Sequence, residues 1–219
     1  MTCKRTSLHN FYRRIIFGLV TICSLLYGQN IQTQELTNYE WELARDKDSI
    51  LICTRKIQDT KLKEFKAKTV LKTSIEKIVW ILEDVENYDK WTVSVKNTSV
   101  LKRIDKDETY LYSELDLPWP FSKRDVINHV KLTWSQTRDT AKLKISGVPD
   151  YIPEKKGFVR MPVSRGKWFI CQIDPENVQI EYSYEFDPGG FIPAWIVNIY
   201  IVDGPYKTLQ TLKDYVKKE

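Results

Sequence analysis

The side chains best placed for chemistry are Arg124 and Asn128. In the alternating stretch Arg124–Trp134 the even positions are Arg124, Val126, Asn128, Val130, Leu132 and Trp134; the odd ones are Asp125, Ile127, His129, Lys131 and Thr133. This period belongs to a strand with one buried face, and the apolar face is the one that carries Arg124 and Asn128. A guanidinium on a buried face is costly unless it is paired or hydrogen-bonded. Two readings follow: Arg124 bridges to an internal acid, or it meets the polar head of a bound molecule. Bond-making chemistry has less to work with. Beyond residue 28 the one histidine is His129, on the polar face. No Cys–His group has metal-ligand spacing, no Gly-x-Ser-x-Gly turn occurs, and no Gly-rich phosphate loop is present. No catalytic residue, metal or cofactor is assigned.

The elements that must position Arg124 and Asn128 read as strands, one helix, more strands and a long final helix, an α+β pattern. Lys63–Leu71 alternates Phe65, Ala67, Thr69 and Leu71 against Glu64, Lys66 and Lys68. Ser74 caps a helix carrying Ile75, Ile78, Val79 and Leu82, ending near Asn87. Strand patterns return from Thr98 to Phe186, where Ile180, Tyr182, Tyr184 and Phe186 alternate with Glu181, Ser183 and Glu185. The chain closes on a stripe of Trp195, Ile199, Val202, Tyr206, Leu209 and Val216. Its first half is apolar nearly all round, which predicts a helix enclosed at its start and superficial at its end. A curved sheet around one helix leaves room for a ligand, walled by Trp134, Trp168, Tyr182, Tyr184, Trp195, Ile199, Val202 and Tyr206. Core packing is the competing assignment for every one of them.

Charge and targeting set the context. The net charge of +5 hides its origin, because residues 1–28 hold Lys4, Arg5, Arg13 and Arg14 and no acid. The remainder has 30 basic against 29 acidic side chains, so nucleic acid is not an expected partner. The uncharged run Ile15–Tyr27 is too short to span a membrane and matches a secretory signal over residues 1–28, cleaved after Gly28. Export to a periplasmic or extracellular space follows, with an uncleaved N-terminal anchor as the alternative. Residues 36–219 show no linker or repeat and read as one domain, taken to act as a monomer. Cys53 and Cys171 form one disulfide or remain two buried thiols.

Four segments carry a family resemblance. The stretch from Trp91 through Val95, Val100 and Leu101, the segments Pro118–Ile127 and Pro153–Met161, and Phe186–Asn198 resemble, in order and spacing, START domains. These lipid-transfer domains belong to the wider superfamily of Bet v 1-like proteins. The resemblance spans roughly Trp41 to Glu219. It implies a helix-grip fold: a curved antiparallel sheet around the long C-terminal helix, with an internal hydrophobic cavity. It also implies binding, and in some members transfer, of a lipid or other hydrophobic ligand without chemistry. A polyketide cyclase/aromatase-like enzyme using the same cavity is the alternative, since fold alone does not fix function. In sterol-carrying members the matching arginine pairs with an acid on the strand after Trp91. The aligned residue here is Asn97, which cannot neutralise Arg124, and this favours a ligand with an anionic or strongly polar head over a sterol.

Two local features complete the expectations. Leu115–Phe121 is a proline-stiffened loop with Trp119 and Phe121 near its tip. They are read either as packed on the final helix or as a transient membrane contact at the cavity mouth. Asp203-Gly204-Pro205 is expected to break the final helix, as a hinge or a fixed kink.

Overall fold

A computed structural model describes residues 40–117 and 119–218. The signal or anchor read from residues 1–28 lies outside them, as does Pro118 of the aromatic loop. Among the described residues no helix is long and apolar enough to cross a membrane.

Three strands open the described chain: β1 (Glu42–Lys47), β2 (Ile50–Lys56) and β3 (Lys63–Lys72). The alternation of β3 is realised, with Phe65, Ala67, Thr69 and Leu71 buried on one face. Helix α1 (Ile75–Glu83) follows, and the Ser74 side chain accepts from the Lys77 N–H at 3.3 Å as a cap. It stops earlier than Asn87, and a 3₁₀ turn, Val85–Lys90, carries the chain on. Next come β4 (Val95–Arg103), β5 (Glu108–Leu115), β6 (Lys123–Trp134) and β7 (Thr140–Gly147). After them come β8 (Phe158–Arg160), β9 (Val163–Asp174), β10 (Asn177–Asp187) and α2 (Ala194–Lys218).

The strands form one sheet in the order β1-β2-β3-β10-β9-β7-β6-β5-β4, with every neighbouring pair antiparallel. The short β8 adds to β6 in parallel. Helix α2 packs on β2 and β3, while α1 contacts β9 and β7. This is the helix-grip arrangement. The packed core includes Leu209, Leu212 and Val216 of α2 and Ile75, Ile78 and Ile81 of α1. Cys53 and Cys171 lie on β2 and β9, with β3 and β10 between those strands, and no disulfide joins them.

Three expectations about α2 and β6 are corrected. The helix runs through Pro205 as one element and neither ends nor restarts there. A proline removes a single N–H from the ladder, and side-chain anchors hold α2 on both sides of it. Arg45 pairs with Asp203 at 2.7 Å, and the Thr208 hydroxyl accepts from the Val93 N–H at 3.3 Å. The start of α2 is not enclosed: Trp195 is 66% and Ile199 51% exposed. Because that half is apolar all round, hydropathy could not orient it; the buried stripe passes through Val197 and Ile201 instead. On β6, Asp125 and Ile127 of the supposed polar face are fully buried, because the Arg160 side chain and the turn Pro149–Tyr151 lie on that side.

Candidate binding site

A cavity of about 240 Å³ lies between the first half of α2 and the inner face of the sheet. Its wall is mostly apolar, built from alternate residues of β5, β6, β7, β9 and β10 and from Ile196, Val197, Tyr200 and Gly204 of α2. Strand register fixes its long direction. Arg124 sits opposite Leu115 at one end of β6, while Leu132 pairs with Leu143, which pairs with Trp168, which pairs with Tyr182 at the other.

Arg124 is 3% exposed and lines this cavity. Its Nε donates to the Pro188 carbonyl at 3.0 Å, Nη2 to the Gly189 carbonyl at 3.0 Å, and Nη1 to the Ser122 carbonyl. Among the described residues no carboxylate pairs with it, and burial alone lowers its pKa. The Gly189-Gly190 pair makes the wrap possible. Both have positive φ, +65° and +63°, and a Cβ on Gly190 would lie 3.2 Å from Nη2. Neither expected reading is complete: Arg124 has no internal acid, and three backbone carbonyls occupy only part of its donor set.

The neighbouring residue shows the contrast. Asp125 accepts from Arg160 Nε at 2.9 Å and Nη2 at 3.0 Å, both side chains being almost wholly buried. Arg160 also donates to the carbonyls of Pro149, Ile152 and Pro153. The paired carboxylate holds its guanidinium above the ordinary arginine range. Reading the sequence missed Arg160. Its partner is set by the β6–β8 register, Asp125 opposite Arg160, and no local pattern announces a contact between segments so far apart.

Asn128 and Tyr184 belong to one polar relay in the wall. The Ser164 hydroxyl donates to Asn128 Oδ1 at 2.6 Å and meets the Tyr184 hydroxyl at 2.5 Å. Gly166 permits this, since a Cβ there would stand 2.3 Å from the Tyr184 ring. Trp168 stacks on Tyr182 at 4.0 Å, and Trp91 meets Trp168 edge-on at 6.0 Å. Burial pushes the phenols of Tyr88, Tyr182 and Tyr184 above their ordinary range, marking a low-dielectric interior.

Of the residues proposed from sequence, Arg124, Asn128, Trp168, Tyr182, Tyr184 and Phe121 line the cavity. The other site residues do not. Asn97 is exposed on the outer face, 3.4 Å from Glu114, because a bulge in β4 puts Val95 on the rung of Arg124. Trp134 is capped by Arg138, whose guanidinium lies 4.2 Å from the ring centroid. Tyr206 is buried against the β1–β2 turn, its hydroxyl donating to Asp48. Trp195 and Ile199 point outward, and Val202 is half-buried away from the cavity. Trp119 is 92% exposed and therefore does not pack on α2; Phe191, missed by the sequence reading, is 95% exposed.

The sequence of this chain matches the START domain over residues 29–218. The chain belongs to the START-domain family. It is 33% identical over 180 residues to an uncharacterized protein of Pseudomonas aeruginosa, covering 82% of this chain and 88% of that one. It is 28% identical over 200 residues to the phosphatidylcholine transfer protein of Rattus norvegicus, covering 85% of this chain and 87% of that protein. Among solved structures, the STAR-related lipid transfer protein of Xanthomonas axonopodis superposes with a TM-score of 0.75 at 31% identity. That match covers 81% of this START protein and 98% of the other chain.

Proposed function

We propose that this START protein binds a lipid in the cavity beneath α2, with the lipid's anionic or strongly polar head at Arg124, and carries it without chemistry. Family membership and the lipid-transfer relatives support lipid binding or transfer in general. The observation that carries the finer reading is Arg124, a buried cation on an apolar wall with no acid among the described residues to neutralise it. Breaking a buried ion pair so as to leave such a charge costs on the order of 3–5 kcal/mol. A bound anionic group would offset that term each time it enters.

Exposed aromatic and aliphatic side chains flank the cavity. Trp119 lies between the lining residues Leu117 and Phe121, and Phe191 and Trp195 bracket the lining residue Ile192. Together with Ile199 they supply a rim suited to transient contact with a membrane interface, where tryptophan is favoured. Export by the signal read in residues 1–28 and action as a monomer complete the proposal.

Transfer between vesicles tests it. Fluorescent fatty acid or phosphatidylcholine in donor vesicles should reach acceptor vesicles faster with the protein, and Trp119→Ser with Phe191→Ser should slow the step. No acceleration with either lipid contradicts the carrier role. Fractionation of expressing cells should place the shortened protein outside the cytoplasm; full-length protein in the cytosol contradicts export.

A further inference from the structure

The cavity end remote from Arg124 has hydrogen-bond donors left over. Trp91 is 2% exposed and lines the cavity. Among the described residues its Nε1–H is the one buried side-chain polar atom without a partner. The Tyr182 hydroxyl, on the same stretch of wall, is not fully enclosed, and among the described residues it makes no hydrogen bond. Trp168 bridges the two, stacked on Tyr182 and edge-on to Trp91. Neighbouring polar groups are used: Tyr88 donates to the Leu82 carbonyl, and Thr92 Oγ1 donates to the Tyr88 carbonyl at 2.6 Å. Buried polar groups are almost always satisfied, so each exception asks for a reason.

An indole N–H only donates, so the missing group is an acceptor. Among the described residues no lysine or arginine other than Arg124 lines the cavity. The raised phenols of Tyr88 and Tyr182 show that burial here penalises negative charge. An uncharged oxygen fits and a second anion does not. Residue 132 marks this end on β6, and from Arg124 it is at most about 26 Å along the strand at roughly 3.3 Å per residue.

We infer that Trp91 Nε1–H and the Tyr182 hydroxyl form a second polar subsite, which takes an uncharged oxygen on the far part of the ligand. This rests on the reading that the cavity holds a lipid with its head at Arg124. The ligand class it names is a lipid whose chain carries a hydroxyl, ketone or ester oxygen toward its far end.

The test compares stearic acid with its ω-hydroxy derivative by calorimetric titration of the full-length protein. Wild type should bind the hydroxy acid about five- to tenfold more tightly, the yield of one or two hydrogen bonds. Trp91→Phe should lose that preference, the ratio of its affinities for the two acids falling to about one whatever its affinity for stearic acid. In nitrogen-labelled protein the Trp91 indole resonance should move downfield with the hydroxy acid and not with stearic acid. Should Trp91→Phe fail to fold, Tyr182→Phe carries the same comparison with the Trp91 resonance still observable. Equal affinities in wild type, or a preference that survives Trp91→Phe, would overturn the subsite while leaving the lipid reading intact. Binding of neither acid would overturn both.

Discussion

Arg124 and Arg160 occupy adjacent strands and have opposite surroundings. Both are buried, and both donate to backbone carbonyls of a covering loop. Arg160 on β8 has a bidentate carboxylate in Asp125, whereas Arg124 on β6 has none among the described residues. They lie on opposite faces of the sheet, since Arg124 lines the cavity and Asp125 turns toward the covering loop. Arg160 is therefore the structural arginine, closing the segment Pro149–Pro153 over the outer face. Arg124 is held in the state that Arg160 would enter if Asp125 were removed. A fold that neutralises one buried cation and leaves its neighbour open toward a cavity departs there from the rule that buried charges are paired, and such departures are expected at functional sites.

The comparison is broken most forcefully at the paired arginine. Asp125→Leu should destabilise the protein by about 3–5 kcal/mol in urea unfolding, because it strands the Arg160 charge. Adding Arg160→Met should restore most of the loss, as replacement of whole buried pairs by apolar groups does. A small loss in the single variant would mean that the carbonyls suffice for Arg160 and that Arg124 is not unusual.

Arg124→Leu should cost far less, within about 1–2 kcal/mol. Losing hydrogen bonds to three carbonyls is offset by removing an unneutralised buried charge. A loss as large as that of Asp125→Leu would assign Arg124 to the fold.

Gly204 sharpens the cavity side. It lines the cavity from α2, and apart from its chain neighbours and the helix backbone a Cβ there would meet nothing within 4 Å. Gly204→Leu should reduce lipid uptake by filling space while changing stability by less than about 1 kcal/mol, because the gain in helix propensity is offset by the clash of the new Cβ with the Pro205 ring. Thermal unfolding and a lipid-uptake assay, run on one preparation, separate the two effects.

The smallest effect is expected at an exposed reference pair. The hydrogen bond from Lys131, with that of His129, holds the Glu108 carboxyl below its ordinary value of 4.5. A depressed carboxylate contributes stability above its ordinary value and loses it as pH falls through the lowered one. Glu108→Gln should lower the melting temperature slightly at neutral pH, and the difference should shrink as pH falls below 4.5 and vanish below the lowered value. A difference that persists at low pH would rule out an ionic origin.

Much of this was legible in the sequence. The strand alternations, the Ser74 cap and the long final helix follow from hydropathy period and local chemistry, and the four START-like segments supplied the topology. Arg124 and Asn128 were found because a charge on an apolar face violates a local rule. What failed depended on information that no local pattern holds. An apolar-all-round helix gives no orientation, so Trp195, Ile199 and Val202 were turned the wrong way. The bulge in β4 moved Asn97 to the outer face, and the Asp125–Arg160 pair needed the parallel register of β8. Trp91 was seen as part of a motif, but an unpartnered N–H is visible only once its surroundings are known.

Native mass spectrometry, with release and identification of bound molecules, tests the central claim most directly. The wild-type protein and Arg124→Leu would each be exposed to a mixed lipid extract and purified. The account predicts a wild-type protein carrying lipid with an acidic, phosphate-bearing or otherwise strongly polar head, and an Arg124→Leu protein in which that class is depleted. A wild-type protein that stays empty, or two proteins that retain the same lipids in the same proportions, would contradict it.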